Sequence, residues 1–326
     1  MRSSWRRVRI PALVILLAIA AAWANNTSLF TRDNLPLKVL AHRGVTQTTS
    51  QDLGPQGCFA RAIDPPRHEF VENTIASIRE AFRLGADGVE IDVHPTVDGE
   101  FVVFHDWTLD CATNGSGVTR ERDSTHIRSL DPAYFYTADN GRTYPLRGKW
   151  TGQIPLLSTV LDTFADEMFL INIKSNDGAE GDALARYLTT RGHATKRISV
   201  YGGDEPVARL RAAAPQVRGL SRQTAISDLL TYEAVGWTGH VPGSMAGNMV
   251  GVPLDRAGAL WGWPGRFTER MAESDTLVLL VASAGQFAEG FDDPAQLRTI
   301  PGRASGYVVT NEIAAVIAEL HGLGRR

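Results

Sequence analysis

Cysteine is nearly absent from this chain of 326 residues: there are two, Cys58 and Cys111. That is too few for a small fold built on disulfides. A strong net charge is absent too. The 33 lysines and arginines against 36 aspartates and glutamates leave −3, and the pI is near 6.3. Such a balance argues against a general nucleic-acid binder, which carries a basic excess. It leaves room for a local basic pocket, because net charge does not describe a single site. There is no internal repeat, no low-complexity tract and no break in composition to mark a second large domain. What is present, 43% hydrophobic and 21% charged residues, is ordinary for a globular protein.

Long apolar runs are also missing, with one exception. Ile10 to Ala24 is apolar, preceded by Arg2, Arg6, Arg7 and Arg9 and followed by Asn25, Asn26 and Thr27. A basic flank, a short apolar stretch and the triplet Ala22-Trp23-Ala24 make a secretory signal. The run is short for a span of about 20 residues, but Thr27 to Phe30 carry no charge and extend it towards an uncleaved anchor. Residues 1–30 are therefore expected to be a signal peptide or a single membrane anchor. The basic flank stays cytoplasmic and the rest is exported, to the periplasm or outside the cell. In an exported chain two cysteines permit one disulfide. Both follow motif strands in loop-like stretches, so a Cys58–Cys111 bridge is the expectation, with two separate buried thiols as the alternative.

From Leu37 onward, short continuous apolar runs alternate with helix-like segments. Nine runs read as strands: 37–42, 88–93, 101–105, 168–174, 198–201, 217–221, 249–254, 277–282 and 306–310. Continuous rather than alternating apolar character indicates strands buried on both faces. Helices are expected over 73–84, 179–190 and 205–214, with Gly85, Gly192 and Pro215 as stops. This rhythm predicts an α/β fold, a TIM-like (β/α)8 barrel over 37–322. Nine candidates exceed eight, so at least one strand is an extra. The stretch 107–155 lacks the β-then-α rhythm and reads as an insertion after the third strand.

Polar residues gather at the ends of the early runs. Leu37 to Ala41 leads into His42-Arg43-Gly44, and Phe101 to Phe104 into His105-Asp106. Glu90 and Asp92 lie two apart, hence on one face of a strand, and Asn172 and Lys174 repeat that spacing. In a barrel, such strand ends converge on one mouth. Two histidines suit an acid–base pair, and Arg43 and Lys174 suit a phosphate. Adjacent buried carboxylates make a hard cation, Ca²⁺ or Mg²⁺, their simplest partner. These residue types suggest metal-assisted phosphoryl transfer. Each has a bland counterpart: a lone strand-end histidine is more often structural, and Glu72 alone could serve only the helix that follows it.

The ordered series HRG, then ENT at Glu72-Asn73-Thr74, then GADGVEIDVHPTVDGEFVVFHD from Gly85 to Asp106, then TNGSG from Thr113 to Gly117 closely resembles the glycerophosphodiester phosphodiesterase family. The resemblance is strong from Val39 to Gly117 and collinear but weaker beyond. It implies a TIM-like barrel with an insertion after the His-Asp motif. It also implies His42 and His105 as acid–base pair, Arg43 on the phosphate, and Glu72, Glu90 and Asp92 on a divalent cation. Where the family's fourth strand ends in Glu-x-Lys, this chain has Asn172-Ile173-Lys174, so Asn172 would be a neutral ligand. A tryptophan motif on a late strand is replaced by LVLLVAS at 277–283, which leaves the alcohol that is recognised undefined. The implied reaction is hydrolysis of a glycerophosphodiester to an alcohol and glycerol 3-phosphate. A lysophospholipid, sphingomyelin or phosphoinositide is the alternative substrate, and an exported, non-catalytic phosphodiester-binding protein is a further alternative. The partner is thus a small or lipid-derived phosphodiester, not a nucleic acid, with membrane association through residues 1–30. Nothing in the sequence specifies the oligomeric state.

Overall fold

The computed structural model describes residues 3–51, 53, 57–283 and 290–326, with side chains from residue 13 onward. Helices are α1 (Ser3–Asn26), α2 (Ile75–Arg83), α3 (Ser124–Ser129), α4 (Leu157–Thr163), α5 (Gly178–Thr190), α6 (Asp204–Ala213), α7 (Arg222–Val235), α8 (Gly265–Glu273) and α9 (Ile313–Gly322). Strands are β1 (Leu37–His42), β2 (Gly88–Pro95), β3 (Phe101–Val103), β4 (Phe169–Ile173), β5 (Ile198–Gly202), β6 (Arg218–Ser221), β7 (Met249–Pro253), β8 (Leu277–Val281) and β9 (Gly306–Thr310). Eight of the strands run in the order β6-β5-β4-β2-β1-β9-β8-β7, and neighbours along that path pair in parallel. The result is a nearly closed TIM-like barrel with helices around it.

The extra strand is β3. It pairs antiparallel with the far end of β2, Val93 opposite Val103 and Pro95 opposite Phe101, off the barrel path. β2 is the long stave of the barrel, and its last residues project past the point where β4 stops pairing. β3 is therefore the extra strand that the count of nine required, and it opens the insertion. An apolar run gives the same signal whichever way its strand points, so composition could not separate them.

Local rules place the helices. Thr74 caps α2 and forms a capping box with Ser77, and Ile78 and Ala81 on its inner face are fully buried. Asp177 caps α5, and Ser221 with Thr224 caps α7. Inside the barrel, Leu40, Leu170, Leu220, Met249, Leu277 and Leu279 form an apolar plug. Each such side chain contributes about 1.5–3 kcal/mol when fully buried. The insertion has a core of its own around Phe104, Leu109, Ile127 and Tyr136. A disulfide between Cys58 and Cys111, with Cα atoms 5.5 Å apart, ties the preceding loop to it.

Helix α1 stands out from the barrel. Leu13 to Leu17 are each about 60% exposed, and Trp23 equally so. Only its last residues dock: Asn25 and Asn26 donate to the Trp237 carbonyl at 3.2 and 2.8 Å. The buried Arg270 guanidinium donates to the Asn25 carbonyl at 2.8 Å and to Asn26 Oδ1 at 3.0 Å. Among the described residues no helix is long and apolar enough to cross a membrane. The expected signal or anchor over 1–30 falls partly on residues 1–12, whose side chains lie outside the described ones.

Candidate active site

Strand register brings the polar ends together. β1 sets His42 opposite Glu90, β4 sets Asn172 opposite Asp92, and β5 sets Tyr201 opposite Asn172. Beyond β1 the backbone turns sharply, with Arg43 at φ 59° and Gly44 at φ 81°. A Cβ on Gly44 would lie 2.8–2.9 Å from the backbone of Ser77 and Ile78, so only glycine fits. The turn is held from both sides: Arg43 N–H donates to the Glu90 carbonyl, and Asn73 N–H to the Arg43 carbonyl. Thus the HRG, ENT and ExD segments form one structural unit. His105 arrives differently. β3 runs back down β2, and Phe104 N–H donates to the Asp92 carbonyl at 3.0 Å, which returns His105 to the mouth.

The two histidines have unlike partners. His42 Nδ1 pairs with Asn311 Oδ1 at 2.8 Å, and the Asn311 amide donates onward to Asp292 Oδ2 at 2.7 Å. His105 Nδ1 pairs with Asp106 Oδ1 at 2.8 Å. In both, an oxygen acceptor puts the hydrogen on Nδ1 and leaves Nε2 for chemistry. Burial and the Arg43 charge push the His42 pKa down to about 3, against the pull of Asp92 and the Asn311 bond. His42 is therefore neutral at ordinary pH.

The carboxylates also differ. Both oxygens of the buried Asp92 are doubly engaged. Oδ1 receives Asn172 Nδ2 at 2.9 Å and Lys174 Nζ at 3.3 Å. Oδ2 accepts from Asn73 Nδ2 at 3.1 Å and is ion-paired with the Arg43 guanidinium, whose Nε lies at 3.2 Å without making a hydrogen bond. Burial opposes the Asp92 charge, but His105, Lys174, Arg43 and His42 hold its carboxyl well below the usual range. Glu90 has one partner, the Tyr201 hydroxyl donating to Oε1 at 2.7 Å. Its Oε2 is buried without a hydrogen bond, 3.8 Å from His42 Nε2. Burial, then the Asp92 charge, pushes the Glu90 carboxyl up to about 8; Arg43, Tyr201 and Lys174 pull the other way.

A cleft of about 180 Å³ joins these groups. His42, Arg43, Glu90, His105, Asn172, Lys174 and Tyr201 line one side, and Leu279, Leu280, Val281 and Val309 the other. The expected acid–base and phosphate residues therefore meet. Four contributors were not picked out from sequence as site residues: Tyr201, Asn73, Asn311 with Asp292 behind it, and Asp106 as the partner of His105. Asp106 directly follows a motif histidine, and Tyr201 ends an otherwise apolar strand; those positions were the available signals.

Comparison with known proteins places the chain. The family model for the glycerophosphoryl diester phosphodiesterase family matches residues 42–199, the stretch that supplies His42, Arg43, Glu90, Asp92, His105, Asn172 and Lys174 but not Tyr201 or Asn311. Over that stretch, just under half of its length, the chain is similar to the glycerophosphodiester phosphodiesterase family. It is 39% identical over 108 residues to a glycerophosphodiester phosphodiesterase of Caldanaerobacter subterraneus, covering 33% of this chain and 40% of that protein. It is 34% identical over 114 residues to one from Bacillus subtilis, covering 34% and 38%. The chain thus aligns with about two fifths of the length of these relatives. Among solved structures, a glycerophosphodiester phosphodiesterase from Agrobacterium tumefaciens superposes with TM-score 0.58 at 23% identity, over 88% of this chain and 100% of that one. A phosphodiesterase from Oleispira antarctica, in complex with the product sn-glycerol-3-phosphate, superposes with TM-score 0.55 at 17% identity, over 88% and 97%. These two likenesses establish the fold.

The cation expected in this family does not fit the donor set here. Among the described residues no three His, Cys, Asp or Glu side chains are grouped so as to hold a metal ion. Glu72, expected as a ligand, faces Thr46 Oγ1 at 3.5 Å and shares a hydrogen bond with the buried Tyr136 of the insertion. Asp92 already accepts from three donors, one of them the Asn172 amide N–H, and is ion-paired with Arg43. Of the ligand set Glu72, Glu90, Asp92 and Asn172, the one orphaned oxygen is Glu90 Oε2.

Proposed function

We propose that this chain is an enzyme that hydrolyses glycerophosphodiesters to an alcohol and glycerol 3-phosphate. The observation that carries the reading is the convergence of His42 and His105 on a cleft that also holds Arg43 and Lys174. The relatives named as glycerophosphodiester phosphodiesterases and the product held by the Oleispira protein support the same substrate class.

The chemistry follows from the unlike surroundings of the histidines. His42, neutral and with Nε2 free, takes the proton from the glycerol 2-hydroxyl. That oxygen attacks phosphorus and forms a cyclic phosphate. The bond to the alcohol breaks, and His105, held through Nδ1 by Asp106, delivers an Nε2 proton to the departing oxygen. Water then opens the ring with the roles reversed: His105 accepts the proton of water and His42 returns one to the 2-oxygen. Arg43 and Lys174 offset the charge on the phosphoryl oxygens.

The exposed apolar side chains of α1, Leu13 to Leu17 and Trp23, support export and attachment to a membrane through residues 1–30, in the periplasm or outside the cell. The apolar wall of Leu279, Leu280 and Val281 favours, as the second reading, a lysophospholipid over a charged head group. ³¹P NMR of the purified full chain with glycerophosphocholine and lysophosphatidylcholine separates the cases. Glycerol 3-phosphate from the first supports the main reading, and a cyclic or monoester lysophospholipid product alone supports the second. No phosphorus product from either would reduce the chain to a binding protein.

A further inference from the structure

Charge and donor counting at the mouth leads to a conclusion about how this site holds its substrate. The buried Asp92 carboxylate already faces two protein cations, Arg43 and Lys174. Both Lys174 and Arg43 lean on Asp92, at 3.3 and 3.2 Å. The amides of Asn172 and Asn73 fill the remaining acceptor positions of that carboxylate, at 2.9 and 3.1 Å. A dication entering here would have to displace two cationic side chains or turn the Asn172 amide around, and would find one buried carboxyl oxygen without a partner, Glu90 Oε2. Hard cations are held by several carboxylate oxygens at once, and affinity follows the number of charged ligands. Asn172 is the residue that removes one of those charges, where the family pattern carries glutamate.

We propose that the phosphate of the substrate is bound by Arg43 and Lys174 without a resident divalent cation, and that Asn172 is the residue that sets this. Asn172 lends its amide to Asp92, which in turn anchors both cationic side chains at the cleft. With a glutamate at 172 the cluster would gain a negative charge beside Asp92, and a dication would become the natural counter-charge. The proposal rests on the reading of the cleft as a phosphodiester site, and its test is chosen to separate the two.

The test is calorimetry on the EDTA-stripped full chain. Ca²⁺, Mg²⁺ and Mn²⁺ are titrated into wild type and Asn172→Glu, and glycerol 3-phosphate is titrated into wild type with and without Mg²⁺. Wild type should show no saturable metal binding below about 1 mM, the range of the weakest oxygen-ligand sites. Asn172→Glu should bind at least about tenfold more tightly, as an added anionic ligand requires. Glycerol 3-phosphate should bind wild type equally in EDTA and in Mg²⁺, and this binding should be lost in Lys174→Met. Metal saturating wild type at micromolar concentration would overturn the proposal. So would a folded Asn172→Glu that gains nothing, with the shorter Asn172→Asp replacing it if circular dichroism shows Asn172→Glu unfolded. Glycerol 3-phosphate that binds only in Mg²⁺ overturns it as well. Glycerol 3-phosphate that binds under neither condition overturns the phosphodiester reading itself.

Discussion

Strands β1, β2, β4 and β5 end at the mouth in His42, Glu90 and Asp92, Asn172 and Tyr201, whereas β6, β7 and β8 end in Ser221, Pro253 and Val281. Both halves are built from the same buried apolar strands, and both bury complete side chains, such as Ile91 and Val200 on one side and Val250 and Val252 on the other. The difference lies at the strand ends. One half carries titratable and cationic groups crowded around Asp92; the other supplies a smooth apolar wall. The family match ends at residue 199, within the polar half. The comparison teaches that chemistry and closure are separable in this barrel: the first half reacts, and the second shapes the cleft and completes the core.

If that division holds, changes in the polar half alter rate more than stability, and changes in the apolar half do the reverse. His42→Ala and His105→Ala should each lower kcat by about two to four orders of magnitude, the usual worth of a general acid or base. Their thermal unfolding should stay close to wild type. Phe267→Ala, on α8 of the apolar half and fully buried, should cost about 3–5 kcal/mol in denaturant unfolding with kcat unchanged. A large loss of kcat at constant KM in that variant would break the comparison. Cys58→Ser should cost about 2–4 kcal/mol by releasing the loop from the insertion. Because His105 leaves the insertion's own strand, kcat should fall in parallel, which hydrogen exchange of residues 105–120 would track. Tyr201→Phe leaves Glu90 Oε1 without its donor and should cost about 1–3 kcal/mol, read by urea unfolding.

Much of this division was legible in the amino-acid order. Eight of the nine apolar runs became staves, because strands buried on both faces show their burial in composition. His42, Arg43, Glu90 and Lys174 could be placed at the mouth because the register of parallel strands follows from where their apolar runs stop; His105 gets there by the antiparallel return of β3. The orientation of β3 was not legible, since Phe101 to Phe104 is equally apolar in either direction. Nor was the true partner of Glu72, which depends on Tyr136, 64 residues later in the chain and positioned by the core of the insertion. Asn172 was legible as a departure but not in its consequence. Whether its amide faces a cation or Asp92 is set by the charges of Arg43 and Lys174, which only the folded mouth brings together. The Asn311–Asp292 relay behind His42 comes from the last strand and its preceding loop; the stretch from Gly306 to Asn311 matches the family's last strand, but that likeness gives Asn311 no role.

The most direct test of the acid–base account is the pH dependence of kcat/KM for glycerophosphocholine, which reports the free enzyme. Wild type would be measured over the range in which circular dichroism shows it folded. A neutral His42 is required as base, and its pKa is lowered from 6.5 to about 3, so activity should be lost only as pH falls towards that value. The same shift means that the folded state takes up fewer protons than the unfolded chain between those limits, so this histidine destabilises the fold as pH falls below 6.5. The account predicts an acid limb well below pH 6 that is absent from the residual activity of His42→Ala. An acid limb at about 6.5 in wild type, or one that persists unchanged in His42→Ala, would contradict it.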